Sequence, residues 1–145
     1  MVSPAPTSFL NLKAALAALS YFALVFGAGF MMGAVRVPLV VPRVGERVAE
    51  LMEMPIMLLV IVFAARFIVR RFALPPTANT RLAVGLLALG LLLSAELLLA
   101  VMMQNRSLGE YIASRDPVSG SVYLLMLAVY ATMPLILARL RPARA

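Results

Sequence analysis

The sequence predicts an all-α fold, an integral membrane four-helix bundle in antiparallel up-down order with both termini on the same side. Three observations predict it: 63% of the 145 residues are hydrophobic and only 13% are charged; the mean hydropathy is +1.01; and the apolar residues fall in four long runs separated by short polar stretches. A soluble domain is about half apolar and a quarter charged, so a fold of this length cannot hide that much apolar surface from water. A bilayer accepts it, because a hydrocarbon layer about 30 Å thick takes helical runs of about 20 apolar residues. Four such helices consume the chain as one transmembrane domain, 1–145, with spans expected near 12–37, 51–70, 82–103 and 117–140.

The first run, Leu12 to Val37, is interrupted only by Lys13, Ser20 and Arg36. It exceeds the apolar core of a cleaved signal peptide, and no basic residue precedes it in 1–11, so it reads as a retained signal-anchor helix. Pro38, Pro42 and Gly45 are expected to break it and turn the chain. Pro42 then opens an amphipathic outer segment, 42–54, in which Glu46, Glu50 and Glu53 share one helical face, with Arg43 and Arg47 within a turn of Glu46 or Glu50.

The second span runs back about 20 residues from Arg70 to Leu51, which places Glu53 just inside the apolar slab and lets Pro55 kink or start the helix. Arg66, Arg70, Arg71 and Arg81 surround the loop FALPPTANT, where Pro75 and Pro76 stop the helix and Thr80 is expected to cap the next. The third span carries one charge, Glu96. Ser107 and Glu110 have capping-box spacing for a short interfacial helix at 107–114. Asp116 and Pro117 then read as the N-cap and first-turn proline of the fourth span.

Orientation follows from the basic residues. Lys13, Arg66, Arg70, Arg71, Arg81, Arg139, Arg141 and Arg144 fall on one side of such a topology, while Arg36, Arg43, Arg47, Arg106 and Arg115 fall on the other. Basic residues concentrate on the cytoplasmic side, so both termini are expected inside a bacterial inner membrane. The net charge of +7 is accordingly a membrane-topology signal. Little polar surface is left for a phosphate-tracking patch, and no nucleic-acid partner is expected.

Cysteine, histidine and tryptophan are absent, which removes disulfides, thiol redox chemistry, histidine-ligated haem and the usual zinc or copper sites. No cofactor, metal site or catalytic residue is expected. The ten methionines are scattered and suit gap filling and lipid contact better than a soft-metal path.

The residues that stand out are carboxylates in apolar surroundings, where a charge is tolerated only beside a partner or water. Glu96 lies about 22 Å outward from Arg81 and Glu53 about 25 Å outward from Arg70, at 1.5 Å per residue, so both reach the outer third of the membrane. Arg36 leaves the first helix on that side. Arg36, Glu53 and Glu96 therefore form a candidate intramembrane polar cluster able to bind a proton, a cation or a small charged ligand, with Arg43, Glu46, Arg47, Glu50 and Tyr123 as supporting residues. The plainer alternative is a structural salt bridge between Arg36 and Glu96, with Glu46, Glu50 and Glu53 solvated or paired locally with Arg43 and Arg47. Gly29 and Gly33, at G-x-x-x-G spacing, suit close helix packing within the chain or in a homo-oligomer.

The stretch GAGFMMGAVRVPLVVPRVGERVAELMEMPIML, followed by FAARFIVRRF, resembles a group of small hypothetical four-helix inner-membrane proteins of proteobacteria, over about a third of the chain. The resemblance carries no activity with it. It implies a bacterial inner-membrane setting and draws attention to Arg36, Arg43, Glu46, Glu50 and Glu53. From the residues, the leading expectation is a non-enzymatic accessory or assembly subunit, with the lipid bilayer and a homo-oligomer or membrane-protein partner as its candidate surroundings. The alternative is a small ion- or proton-coupled transporter or channel subunit using its carboxylates, and the third is an interface enzyme acting on an anionic or lipid substrate.

Overall fold

A computed structural model describes the backbone of residues 7–103 and 116–140, with side chains from Leu12 to Met102 and from Asp116 to Leu140. The helix expected at 107–114, together with Arg106, Ser107, Glu110, Arg115, Arg141 and Arg144, lies outside the described residues.

The described chain is helical: α1 (Thr7–Val35), a π-helical turn (Arg36–Val40), α2 (Val41–Val44), α3 (Glu46–Arg71), α4 (Ala78–Met103) and α5 (Pro117–Leu140). Four segments are long and apolar enough to cross a membrane: Leu12–Val44, Glu46–Arg71, Ala78–Met102 and Pro117–Leu140. Large apolar side chains point outward along them, Phe30, Phe63, Phe67, Leu124 and Leu125 among them, as helices solvated by lipid require.

Pro38 does not break the first helix, contrary to expectation. Proline lacks the N–H for an i−4 bond and its ring crowds that carbonyl. The chain answers by widening one turn, so that the Val41 N–H reaches back five residues to the Arg36 carbonyl. The rod then continues to Val44 and ends at Gly45, whose φ of 88° suits only glycine. The next helix starts at once with Glu46, and most of the 42–54 segment forms the first turns of α3. Pro55 sits inside α3 and does not start it.

The α3–α4 loop is closed by backbone bonds from Leu74 N–H to the Val69 carbonyl (3.1 Å) and from Ala73 N–H to the Arg70 carbonyl (3.3 Å). This is the Schellman arrangement, with Ala73 in the left-handed position at φ 47°. Ala73→Gly is expected to stabilise the protein by roughly 0.5–1 kcal/mol, the left-handed penalty less the chain entropy that glycine adds. Thermal unfolding in detergent measures it, and an unchanged or lower midpoint would count against a strained Ala73. Thr77, not Thr80, immediately precedes α4; its carbonyl accepts the Arg81 N–H at 3.1 Å, and its hydroxyl donates to Thr80 at 2.9 Å.

The core draws on all four long helices, and a hydrogen-bonded layer within it links α1, α4 and α5. Pro134 in α5 supplies no N–H to the Tyr130 carbonyl, and the Tyr21 hydroxyl of α1 donates to that oxygen at 2.6 Å. The two tyrosine rings stack at 4.6 Å, and the Tyr130 hydroxyl donates to the Ala88 carbonyl of α4 at 3.2 Å. Gly85 lets α4 approach α5 so closely that a Cβ there would lie 1.7 Å from the Ala131 carbonyl oxygen. Beneath this layer Arg81 is buried, donating to the carbonyls of Pro134 (2.8 Å), Pro75 (2.9 Å) and Leu74 (3.2 Å). The sequence placed Arg81 among the arginines around this loop; its burial, and its tie from the loop to α5, are what the structure adds.

Candidate functional site

At the other end of the packed layer the helices diverge around a cavity of about 520 Å³. Its floor is Ile61, Leu92 and Tyr130, all buried. Phe26, Phe30, Met54, Met57 and Met126 furnish apolar walls. Around these stand Glu46, Glu50, Glu53, Glu96 and Asp116, which are all the acidic residues whose side chains are described. The sixth, Glu110, lies outside the described residues. Among the described lining residues only Arg36 is basic.

Local folding explains the convergence. Gly45 reverses the chain so that α3 begins with Glu46, and a helical repeat of 3.6 residues then stacks Glu46, Glu50 and Glu53 along one face. All three line the cavity. Arg36, at the head of the π-helical turn, donates to Glu53 and forms an ion pair with it. The Tyr123 hydroxyl of α5 donates to Glu96 of α4 across the cavity wall. Arg36 thus pairs with Glu53 and not with Glu96, so the expected Arg36–Glu96 salt bridge is replaced by two cross-links, Arg36–Glu53 and Tyr123–Glu96.

Arg47 does not pair with its helical neighbours. Its guanidinium grips Asp116 with three contacts of 3.0–3.1 Å, joining the start of α3 to the start of α5. Asp116 also caps α5 as expected, accepting the N–H groups of Val118 (3.1 Å) and Ser119 (2.9 Å). The Arg47 guanidinium and then the Ser119 amide hold the Asp116 carboxyl down at about 2, so it is ionised throughout the physiological range. Arg43 is exposed and is not among the cavity-lining residues.

Gly29 also lines the cavity, and a Cβ on it would stand 3.6 Å from the terminal methyl of Met57. A Cβ on Gly33 would stand 3.9 Å from Arg36 Nη2. The glycine pair therefore faces groups of its own chain. Two contributors escaped the sequence reading: Asp116 as a wall of the cavity and Tyr130 as its floor. Asp116 carried a local signal for capping alone, and nothing in the spacing links it to Arg47, 69 residues away.

Chemically, the described lining makes a partly apolar chamber with an excess of carboxylates. Among the described residues no three lie close enough together to hold a metal ion, so the charges are spread along the walls. Compared with models of known families, with curated proteins and with solved structures, the chain matches none.

Proposed function

We propose that this chain is a polytopic membrane protein that binds a small positively charged solute between its helices, as a transporter or channel subunit and not as an enzyme. The observation that carries this is the convergence of Glu46, Glu50, Glu53, Glu96 and Asp116 on one cavity with Arg36 as its lining base. A cavity of about 520 Å³ is within the range of small-molecule sites, about 300–1,000 Å³. Acid-lined walls of low dielectric concentrate cations and repel anions.

The proposed setting is a bacterial inner membrane, with the helices in antiparallel order and both termini cytoplasmic. The distribution of lysine and arginine supports that orientation, and the resemblance to small proteobacterial membrane proteins supports the compartment. The cavity then opens toward the outer face.

The buried floor of Ile61, Leu92 and Tyr130 favours a site that binds and occludes over a continuous pore. It also favours the second reading, an accessory subunit that binds the cation without passing it, alone or beside a membrane-protein partner.

The test is titration of the full chain in lipid nanodiscs with butylammonium chloride. Glu96→Gln is expected to weaken binding at least tenfold, the equivalent of about 1.4 kcal/mol. No binding to the native chain, or affinity unmoved by Glu96→Gln and Glu53→Gln alike, would remove the proposal. Proteoliposomes loaded with a pH-sensitive dye then separate the two readings: carboxylate-dependent flux supports transport, and binding without flux supports the accessory role.

A further inference from the structure

The acidic cavity already contains a cation that belongs to the chain. Arg36 occupies the first position of the π-helical turn and lines the cavity, where its guanidinium is paired with Glu53. We propose that Arg36 is a tethered competitor, held on Glu53 when the site is empty, and that the solute displacing it is an alkylguanidinium or alkylammonium ion. This rests on the cation-binding reading above and adds both the ligand class and its regulation.

Four features support exchange at this position. First, the Arg36 side chain is itself a cation at the end of a short aliphatic stem, so Glu53 is already placed to accept N–H donors from such a group. The neighbouring Phe26, Phe30 and Met57 can cover a stem of that kind. Second, the carboxylates are too dispersed to cage a metal ion, and the cavity is far larger than one.

Third, the pair is not sealed: the side chains of Arg36 and Glu53 are 25% and 14% exposed, so exchange does not require unfolding. Fourth, the displaced guanidinium has somewhere to go. Glu50 lines the same cavity on the same helix, about 4.5 Å nearer the start of α3 at 1.5 Å per residue. Arg36 can step outward to it without losing a carboxylate. Gly33 leaves the space beside Arg36 Nη2 open, and the widened turn is the irregular backbone that π-helical segments commonly provide at functional sites.

Competition makes a prediction opposite in sign to that of a structural ion pair. In nanodiscs, Arg36→Gln is expected to bind butylguanidinium about tenfold more tightly than the native chain, because the fraction of sites open to ligand rises. Arg36→Lys, which keeps a tethered cation, should stay near native affinity. If Arg36 serves only to hold the helices, Arg36→Gln binds equally or more weakly, and that result overturns the proposal.

Should Arg36→Gln fail to fold, the native chain labelled with ¹⁵N-arginine decides the matter. Saturating butylguanidinium must shift the Arg36 side-chain resonance as it leaves Glu53, and an unmoved resonance overturns the proposal. The two levels fail separately. Carboxylate-dependent binding without tightening in Arg36→Gln removes only the competitor, whereas absence of any cation binding removes the underlying function as well.

Discussion

Replacing Arg81 with methionine is expected to destabilise the protein by at least about 3 kcal/mol, since each hydrogen bond from a charged donor contributes about 1.5–3 kcal/mol. The carbonyls of Leu74, Pro75 and Pro134 lose the guanidinium that now serves them. Methionine fills much of the volume but donates nothing, and the site is buried, so water cannot easily take over. Denaturant titration of the purified protein measures the loss. Arg81→Lys should recover only part of it, because one ammonium cannot reproduce a planar fork aimed at three acceptors. Stability close to native in Arg81→Met would show that the loop holds without this tie.

Gly85→Ala should be nearly as damaging, by about 1–3 kcal/mol, the range for inserting one carbon into a packed interior. The added Cβ would overlap the Ala131 carbonyl oxygen at 1.7 Å and its carbon at 2.7 Å. Those are backbone atoms, so no rotamer change relieves the clash and α4 must move away from α5. The movement also strains the Tyr130–Ala88 bond and the Tyr21–Tyr130 stack. Gly90→Ala is the internal control, because nothing lies within 4 Å of a Cβ there. Equal melting temperatures for the two variants would contradict the close approach at Gly85.

Features decided within a few residues were legible in the sequence. The four apolar runs appear as four helices able to span a membrane, and Asp116–Pro117 starts the last of them as capping chemistry dictates. Helical spacing placed Glu46, Glu50 and Glu53 on one face, and all three line the cavity. Depth counted from the loop arginines brought Glu53 and Glu96 to a shared level, and they do line the same chamber.

Features decided by tertiary packing were not legible. An arginine beside a loop looks the same in sequence whether water or three carbonyls surround it, so Arg81 passed as a topology marker. Pro38 signalled a break because a proline has two outcomes, termination or a widened turn, and only the surrounding helices select between them. Partner choice was beyond reach for the same reason: Arg36 could meet either carboxylate by depth, and helix rotation about the bundle decided for Glu53.

The uninterrupted rod through Pro38 has a consequence for where the cavity mouth sits. The segment Leu12–Val44 has 33 residues, about 50 Å of helix at 1.5 Å per residue, against about 30 Å of hydrocarbon. With Leu12 at one edge of the acyl chains and the rod upright, roughly the last dozen residues would lie beyond the other edge. A rod that long, held upright, would carry the Gly45 hairpin and the first turns of α3 into the headgroup zone, where ionised side chains are cheap to hydrate. A solute of the proposed kind would then enter among headgroups and pass Phe26 and Phe30 before reaching the depth of Tyr130.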